Sequence, residues 1–364
     1  MIRFVVPREQ EFGIVEFLET DAREIAGRFS VLHYETLAER TSLPGGCYVL
    51  AALDQLTAPA LAMVAGVEAQ LRRAGPATRV LNSASSTLHR LALLDTLRAA
   101  GLSQHCAMRA SAELGTIAFP VFLREEHHHT GSLSALLRTP EALAEELARS
   151  VLRGFRLDEL LVVEFVDTAD KHGVYRKYAA HRLGDAIVPQ FMDSAASWLL
   201  KRDASHVTAA TLAEEEAYVL ANPHEHELRR IFDLAGVGFG RIDYAVKDHR
   251  IHTWEINLNP TFGRYAVLPP ELDQIRAVRR RHFARAFIAA FEVVDVPAPS
   301  EEIPIRHDPA VIAGLRDVLR RDASRRAPEV LARMVRPVQP LVNQLVRMLS
   351  PLIVRLGRLR RVQG

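Results

Sequence analysis

The pattern of hydrophobic and polar positions changes period repeatedly along the N-terminal part of the chain. Short apolar runs of β-strand character are separated by segments in which apolar residues recur at the spacing of an α-helix. Strands are predicted at residues 2–6, 47–53 and 79–81, and helices at residues 60–74 and 86–100. Each predicted helix stops at a glycine, Gly75 or Gly101, which readily adopts the backbone conformation of a helix end. This alternation predicts an α/β domain over residues 1–103.

A second domain is predicted over residues 104–166. A short strand at residues 119–124 leads into a polar loop at residues 125–132, and a helix continues to about residue 153. A strand, a loop and a helix in this order often bind phosphate, because the N–H groups at the start of the helix point towards the anion. The apolar run at residues 159–166 predicts a buried strand that completes the domain.

The pattern predicts a third domain over residues 167–295. After a polar turn, strand-like segments on both sides of Gly184 and Asp185 predict a β-hairpin. The remaining predicted elements are a helical stretch at residues 212–235, a β-rich stretch at residues 236–260 and a helix at residues 272–293.

The C-terminal part, residues 296–364, differs in composition. Prolines are concentrated at residues 296–304, which predicts a linker. Residues 331–364 contain seven arginines and no acidic residue, and several leucines recur on one side of a helix. We expect this basic amphipathic tail to contact either a membrane surface or the protein itself, including a second copy of the chain, and the pattern leaves these alternatives open.

The β-rich stretch contains the most informative polar residues. Its arms, residues 241–246 and 251–257, flank a predicted loop at residues 248–250. In an antiparallel pair with this loop, Asp243 lies opposite Glu255 and Arg241 lies opposite Asn257. The residues predicted to face the other side of the hairpin, towards a core, are Ile242, Tyr244, Trp254 and Ile256. Two carboxylates, an amide and a guanidinium are thus expected on one surface.

Carboxylates held this close repel each other unless a cation lies between them. Mg²⁺ prefers hard oxygen ligands and leaves coordination positions for phosphate oxygens, so Asp243, Glu255 and Asn257 form a candidate magnesium site. A hairpin with charged residues on a solvated face is the alternative interpretation.

The same residues carry a resemblance to the ATP-grasp superfamily, in which Arg-x-Asp, a turn, Glu-x-Asn and a proline occur in the last strands. The matching positions are Arg241, Asp243, Glu255, Asn257 and Pro260. The resemblance is to the carboxylate–amine or carboxylate–thiol ligase type with a glutathione-synthetase-like ATP-binding domain. It implies an α/β (α+β) fold: an N-terminal Rossmann-like pre-ATP-grasp domain, two α+β subdomains that sandwich ATP, and here a helical C-terminal tail.

In this family the Asp, Glu and Asn positions hold two Mg²⁺ ions, with Mn²⁺ as an alternative, on the phosphates of ATP. The resemblance therefore implies that Asp243, Glu255 and Asn257 are metal ligands and that Arg241 stabilises the transferred phosphate. It also implies a catalytic role for Arg176, on the acceptor carboxylate or the phosphate. Because Arg176 and Lys177 alternate on one strand, only one of them is expected to face the site.

The resemblance also implies nucleotide-binding residues. Arg124 stands where the family usually has a phosphate-binding lysine, and residues 125–132 resemble the lid over the triphosphate. The family's earlier lysine, expected near residues 90–96, is absent, and Arg90 is its candidate replacement. The implied ATP-binding residues are Arg124, His129 and Gly131 at the phosphates, Glu164, Phe165 and Val166 at the base, Asp167 or Asp170 at the ribose, and Lys201 as a further cation.

Composition narrows the range of partners. The chain has 46 basic and 44 acidic residues and a net charge of +2, so no nucleic-acid partner is expected. Two cysteines are too few for a disulfide framework. The chain contains neither a signal-peptide pattern nor a long charge-free apolar run, which favours a cytoplasmic protein.

The resemblance implies an ATP- and Mg²⁺-dependent ligase. Such an enzyme activates a small-molecule carboxylate as an acyl phosphate, which an amine or another nucleophile then captures. The alternative is an inactive ATP-binding module with a scaffold or membrane-surface role through its basic tail. A homodimer is expected, and the substrates are not determined by the sequence.

Overall fold

A computed structural model describes residues 1–103, 105–127, 131–200, 207–262, 268–297 and 302–325. The chain divides into two compact units: a larger one of residues 1–88 and 168–315, and a smaller one of residues 89–167 and 316–364. No helix among the described residues is long and apolar enough to cross a membrane.

The strands and helices of the described residues are as follows. The strands are β1 (Ile2–Val6), β2 (Phe29–His33), β3 (Ser42–Pro44), β4 (Gly46–Leu50), β5 (Thr78–Leu81), β6 (Ala107–Arg109), β7 (Val121–Glu125), β8 (Leu160–Glu164), β9 (Tyr175–Leu183), β10 (Ala186–Ala195), β11 (Phe239–Lys247), β12 (Arg250–Asn257) and β13 (Glu302–Pro304). The helices are α1 (Phe12–Thr20), α2 (Tyr34–Leu37), α3 (Ala58–Arg73), α4 (Arg90–Ala99), α5 (Pro140–Leu152), α6 (Ala209–Ala221), α7 (Glu225–Leu234), α8 (Pro270–Val294) and α9 (Pro309–Arg325).

The N-terminal part of the larger unit is built on a parallel sheet with the strand order β2-β1-β4-β5. Its central strands are almost continuously apolar and buried, as is typical of parallel sheets covered on both faces. The predicted α/β class is therefore confirmed. The prediction missed β2, whose residues are all half-buried and show no contrast between a buried and an exposed side.

The second sheet of the larger unit is antiparallel, with the order β10-β9-β11-β12. The predicted hairpin around Gly184 is confirmed as β9 and β10, with a register shift between Pro189 and Phe191. Aromatic residues of α8, including Phe287, join residues of both sheets, such as Phe4 and Phe239, in one hydrophobic core. A shared core holds the polar face of the second sheet on a rigid support.

The smaller unit contains the antiparallel sheet β6-β8-β7 and a separate hydrophobic core that includes Leu143 and Leu147 of α5. Helix α5 begins at Pro140, where the Thr139 hydroxyl accepts a hydrogen bond from the N–H of Ala142. Residues 133–139 intervene between the polar loop and this helix, and Leu137 pairs with Val121. The predicted direct succession of strand, loop and helix is thus wrong, because part of the intervening chain returns along β7.

Two other predicted elements differ from the structure. The helical stretch at residues 212–235 is divided into α6 and α7, because Asn222 ends α6 with a left-handed backbone (φ 44°) and a proline follows it. Within the predicted linker, β13 pairs antiparallel with β3, which anchors this part of the chain to the larger unit. The basic tail at residues 331–364 lies outside the described residues.

Candidate functional site

The turn of the β11–β12 hairpin is shorter than predicted. Lys247 pairs with Arg250, so the connection consists of Asp248 and His249 alone, and both have positive φ angles of 49° and 59°. Two-residue turns of this kind follow the natural twist of a hairpin. The three-residue loop expected from the sequence is therefore wrong.

A β-bulge shifts the register of the hairpin by one residue between its turn and the polar residues. Tyr244 pairs with Thr253, whereas the next residue, Asp243, pairs with Glu255, which leaves Trp254 as the extra residue. This shift of one residue compensates for the shorter turn. The predicted pairs Asp243–Glu255 and Arg241–Asn257 are thus present. Trp254 itself is half-buried and does not pair across the hairpin, contrary to its predicted core position.

Arg241 and Asp243 form a close ion pair on the polar face of the hairpin. The Nε atom of Arg241 donates to Oδ1 of Asp243 at 2.7 Å, and a terminal guanidinium nitrogen donates to Oδ2 at 3.3 Å. The Asp243 side chain is 11% exposed. Charge-assisted, two-point contacts of this type fix both side chains in orientation. The ion pair thus places a cation beside the candidate metal ligand.

Asn257 is held by the chain that follows it. Its side-chain oxygen accepts a hydrogen bond from the N–H of Asn259 at 2.8 Å. The backbone of β11 approaches closely here, because a Cβ at Gly240 would lie 3.0 Å from the Asn257 carbonyl oxygen. A glycine at this position therefore lets Arg241 and Asn257 lie across from each other without displacement of either strand.

Lys177 is a further residue of the polar face that the predicted site residues did not include. On β9, Ala179 pairs with Asp243, and Lys177, two residues earlier, shares the same face. Its Nζ atom lies 3.7 Å from Oδ2 of Asp243 and 3.9 Å from Oδ2 of Asp193. The alternation of Arg176 and Lys177 in the sequence pointed to one inward cation, but only the register with β11 shows which.

Arg176 lies on the opposite face of β9 from Asp243. Its guanidinium donates to Oδ2 of Asp170 at 2.7 Å and contacts Oε1 of Glu214 on α6 at 2.6 Å. The structure therefore does not bring Arg176 together with the carboxylates of the hairpin. The catalytic role implied for it stays a prediction, while its observed contacts connect a turn to a helix.

Asp170 is engaged within its own turn. One carboxylate oxygen accepts the N–H groups of His172 and Val174 at 2.8 and 3.0 Å, and the other accepts Arg176. The hydrogen bond from Arg176, followed by those from the two backbone N–H groups, holds the pKa of Asp170 well below its usual range. Its implied role at a ribose stays a prediction.

The donor set of the hairpin fits a hard divalent cation. It offers two carboxylates and an amide oxygen from residues that are paired across the two strands. In the described part of the chain, no three His, Cys, Asp or Glu side chains converge, so Asn257 and ligands from outside the protein would have to complete the coordination. Arg241 donates one hydrogen bond to each carboxylate oxygen of Asp243, and each of these oxygens has a second lone pair that a cation can approach.

In the smaller unit, Glu164 braces the backbone at the end of β8. Its two carboxylate oxygens accept the N–H groups of Cys106 and Ala118, both at 2.8 Å. The next N–H, that of Phe165, donates to the Pro120 carbonyl at 2.9 Å. These contacts give a structural reason for a charged residue here, and the implied contact with a nucleotide base stays a prediction.

The other predicted nucleotide residues are placed as follows. Val166 is half-buried and Asp167 is exposed, and Gly131 has a φ of 89°. Arg124 is buried on β7, opposite Leu161 of β8. His129 and Lys201 lie outside the described residues.

Arg90, the candidate replacement for the missing lysine, is buried at the start of α4. It donates to the carbonyl oxygen of Glu126 at 3.1 Å and also to that of Glu125. Glu126 in turn forms an ion pair with Arg109 of β6. Arg90 thus ties a helix to the end of β7 in the described structure.

A hydrogen-bonded aromatic group supports the polar face from the other side of the sheet. Nδ1 of His224 lies 2.9 Å from the Tyr244 hydroxyl, which donates to the Tyr218 hydroxyl at 3.1 Å. Tyr218 donates to the carbonyl oxygen of Ala179, the residue paired with Asp243, at 3.0 Å. Burial lowers the pKa of His224 and raises that of Tyr244. The strands that carry the polar face are therefore fixed by two buried tyrosines and a half-buried histidine.

Comparison with known proteins gives similarities at the level of structure only. No protein-family model matches the chain, and no curated protein matches it. A D-alanine–D-alanine ligase from Bacillus anthracis complexed with ATP is 13% identical, with a TM-score of 0.44 over 80% of this chain and 98% of that one. Another structure of that ligase is 12% identical, with a TM-score of 0.45 and the same coverage.

A RimK domain ATP-grasp protein from Sphaerobacter thermophilus is 15% identical, with a TM-score of 0.43 over 80% of this chain and 99% of that one. The likeness concerns the course of the backbone and assigns no role to individual side chains.

Proposed function

We propose that the protein is an ATP- and divalent-cation-dependent ligase that joins a small-molecule carboxylate to an amine or a related nucleophile. The observation that carries the proposal is the register of the β11–β12 hairpin, which puts Asp243 opposite Glu255 and Arg241 opposite Asn257. Oxygen ligands for a metal and a guanidinium for phosphate oxygens are thereby grouped on one face. Such a group serves phosphoryl transfer, in which the protein contributes mainly position and charge neutralisation.

Each residue of this group has a defined task in the proposal. Asp243, Glu255 and Asn257 would hold Mg²⁺ or Mn²⁺, which when bound neutralises the charge of the phosphate oxygens. Arg241, oriented by its contact with Asp243, would donate hydrogen bonds to the phosphoryl group that is transferred. Asn259 would keep the Asn257 oxygen aimed in one direction.

In the proposed reaction, a carboxylate oxygen of the substrate attacks the γ-phosphorus of ATP. The bond to the bridging oxygen breaks, ADP leaves, and an acyl phosphate forms. An amine then attacks the acyl carbon, loses a proton to solvent and expels inorganic phosphate. Neither step requires a covalent intermediate with the protein.

The nucleotide-binding residues implied by the resemblance complete the proposal. They are Arg124, His129 and Gly131 for the phosphates, Glu164, Phe165 and Val166 for the base, Asp167 or Asp170 for the ribose, and Lys201 as an additional cation. Of these residues, Arg124 has the firmest physical basis, because a buried guanidinium is fixed in position and suited to phosphate.

The test measures Mg²⁺-dependent release of ADP across a panel of carboxylates, each supplied with a mixture of amines. We expect turnover with at least one carboxylate, and a loss of about 100-fold or more in Glu255→Gln, which removes a negative charge from the ligands of the divalent cation. Glu39→Gln, which makes the same change at an exposed position, should match the wild type.

ATP binding with no ADP release on any carboxylate would instead establish the inactive ATP-binding module. Equal turnover in Glu255→Gln and the wild type would show that the hairpin is an ordinary solvated surface.

A further inference from the structure

The polar face of the β9–β12 sheet carries more cationic charge than the proposed function uses. Lys177 and Arg241 share it with the carboxylates of Asp193, Asp243 and Glu255. The group thus combines two cations with three carboxylates. A divalent cation bound among them would add positive charge and make the face more attractive to a triphosphate.

Asp243 is the carboxylate that both cations contact. Arg241 holds it through two hydrogen bonds, and Lys177 Nζ lies 3.7 Å from Oδ2. A divalent cation that binds Asp243 competes with these contacts, since like charges near one carboxylate repel each other. Lys177 makes the longer contact and has a flexible side chain that is 23% exposed, so it is displaced from Asp243 more easily than Arg241.

Phe191 makes cation–π contacts with both Lys177 and Arg241. The Lys177 Nζ and the Arg241 Cζ atoms lie 5.5 and 5.6 Å from the centre of its ring. Phe191 is paired with Ala179, so its ring stands on the same face as Asp243. Cation–π attraction does not depend on the carboxylate, and it would keep both cations near the site after Asp243 has changed partner.

From this arrangement we propose that Lys177 is a second phosphate-binding residue of the site and is held as a counter-ion of Asp243 until a divalent cation takes that carboxylate. Phe191 is its positioning residue. The proposal rests on the proposed function and adds an order to it: Lys177 would leave Asp243 once that carboxylate holds a divalent cation, and would then contact an anionic phosphate. It follows that Lys177 opposes metal binding when no nucleotide is present and favours nucleotide binding when the metal is present.

These two opposite effects can be measured with the full-length protein. Lys177→Met keeps the length of the side chain and removes its charge, and Lys171→Met makes the same change at an exposed position. Calorimetry gives the affinity for Mn²⁺ without nucleotide and the affinity for a non-hydrolysable ATP analogue with saturating Mg²⁺. For Lys177→Met, we expect Mn²⁺ to bind about fivefold more tightly and the analogue about tenfold more weakly, the latter being 1.4 kcal/mol.

Matched variants separate this role from simple packing. Lys171→Met should equal the wild type in both measurements, and Lys177→Arg, which keeps the charge, should bind the analogue within about threefold of the wild type. Phe191→Leu should weaken binding of the analogue several-fold, whereas Phe191→Tyr, which keeps an aromatic ring, should not.

The outcomes distinguish this inference from the function on which it rests. The inference alone is overturned if the wild-type protein binds both Mn²⁺ and the analogue and Lys177→Met binds both as the wild type does. The same conclusion follows if the two affinities of Lys177→Met change in the same direction. Wild-type protein that binds neither ligand overturns the proposed function and the inference together.

Discussion

The polar face of the β9–β12 sheet and the strand ends of the β6–β8 sheet both have charged residues, but the partners of these charges differ. On the first sheet, Arg241 and Lys177 contact the carboxylate of Asp243, so charged side chains are paired with each other. At the ends of β7 and β8, Glu164 accepts two backbone N–H groups and Arg90 of α4 donates to backbone carbonyls, while a side-chain ion pair joins Arg109 of β6 to Glu126. Backbone contacts are part of the fold, whereas side-chain ion pairs can exchange partners when a ligand arrives. The comparison therefore separates a surface whose charges can change partner from one whose charges also hold the backbone.

The largest loss of activity is expected from a substitution of Asp243. Asp243→Asn removes the charge that a divalent cation requires and should lower ATP turnover by about 100-fold or more. Arg241 would lose its anionic partner, so we also expect a modest loss of stability, about 1–2 kcal/mol. Turnover assays and urea unfolding measure the two effects. Unchanged turnover in a folded variant would contradict the assignment of the polar face.

A second expected effect concerns His181, in the buried C-terminal half of β9. The ring is fully buried, is 2.9 Å from Oε1 of Gln190 and is packed against Phe262 and Phe287. Burial, followed by the positive charge of Arg241, lowers the pKa of His181 to about 3 from its usual 6.5. The unfolded chain therefore takes up a proton below pH 6.5 that the folded protein does not.

Stability should accordingly fall as the pH drops below 6.5, by about 1.4 kcal/mol for each pH unit and about 2 kcal/mol by pH 5 from this residue. Urea unfolding at pH 7 and pH 5 measures the difference. In His181→Leu, which cannot be protonated, the pH dependence over this range should be smaller by that amount. An equal dependence in variant and wild type would show that the histidine is charged in the folded protein.

The third prediction concerns Glu164, in the smaller unit. Glu164→Gln replaces a charged acceptor of two backbone N–H groups, so the unfolding free energy should fall by about 1–2 kcal/mol. Because Glu164 is also proposed to contact the nucleotide base, the affinity for ATP should fall, while turnover at saturating ATP and at a temperature where the variant is folded should stay close to that of the wild type. A variant with lower stability and unchanged affinity for ATP would contradict the role of Glu164 at the nucleotide base.

The smallest effect is expected at Arg176, the cation on the opposite face from Asp243. Because its ion pairs with Asp170 and Glu214 are partly exposed, Arg176→Met should cost about 1 kcal/mol of stability or less. Mn²⁺ affinity should remain as in the wild type, in contrast to Lys177→Met. A change in Mn²⁺ affinity equal to that of the lysine variant would place both cations at one site.

Local pattern was sufficient for much of the fold. The alternation of strands and helices at the N-terminus, the hairpin around Gly184 and the long helix α8 follow from residues close together in sequence. Hydrophobic periodicity and turn-forming residues act over a few residues, so they can be interpreted without knowledge of the rest of the chain. The same locality explains why the polar residues of β11 and β12 could be recognised as a group.

Tertiary structure decided what depends on register and on distant partners. The bulge at Trp254 compensates for a turn that the sequence pattern misjudged, and the pairing of β9 with β11 turns Lys177 instead of Arg176 towards Asp243. The partners of Glu164 are 46 and 58 residues away in the chain. Contacts of this kind are set by how whole sheets pair and pack, so the sequence alone determined which charged residues are available, and the fold determined which of them meet.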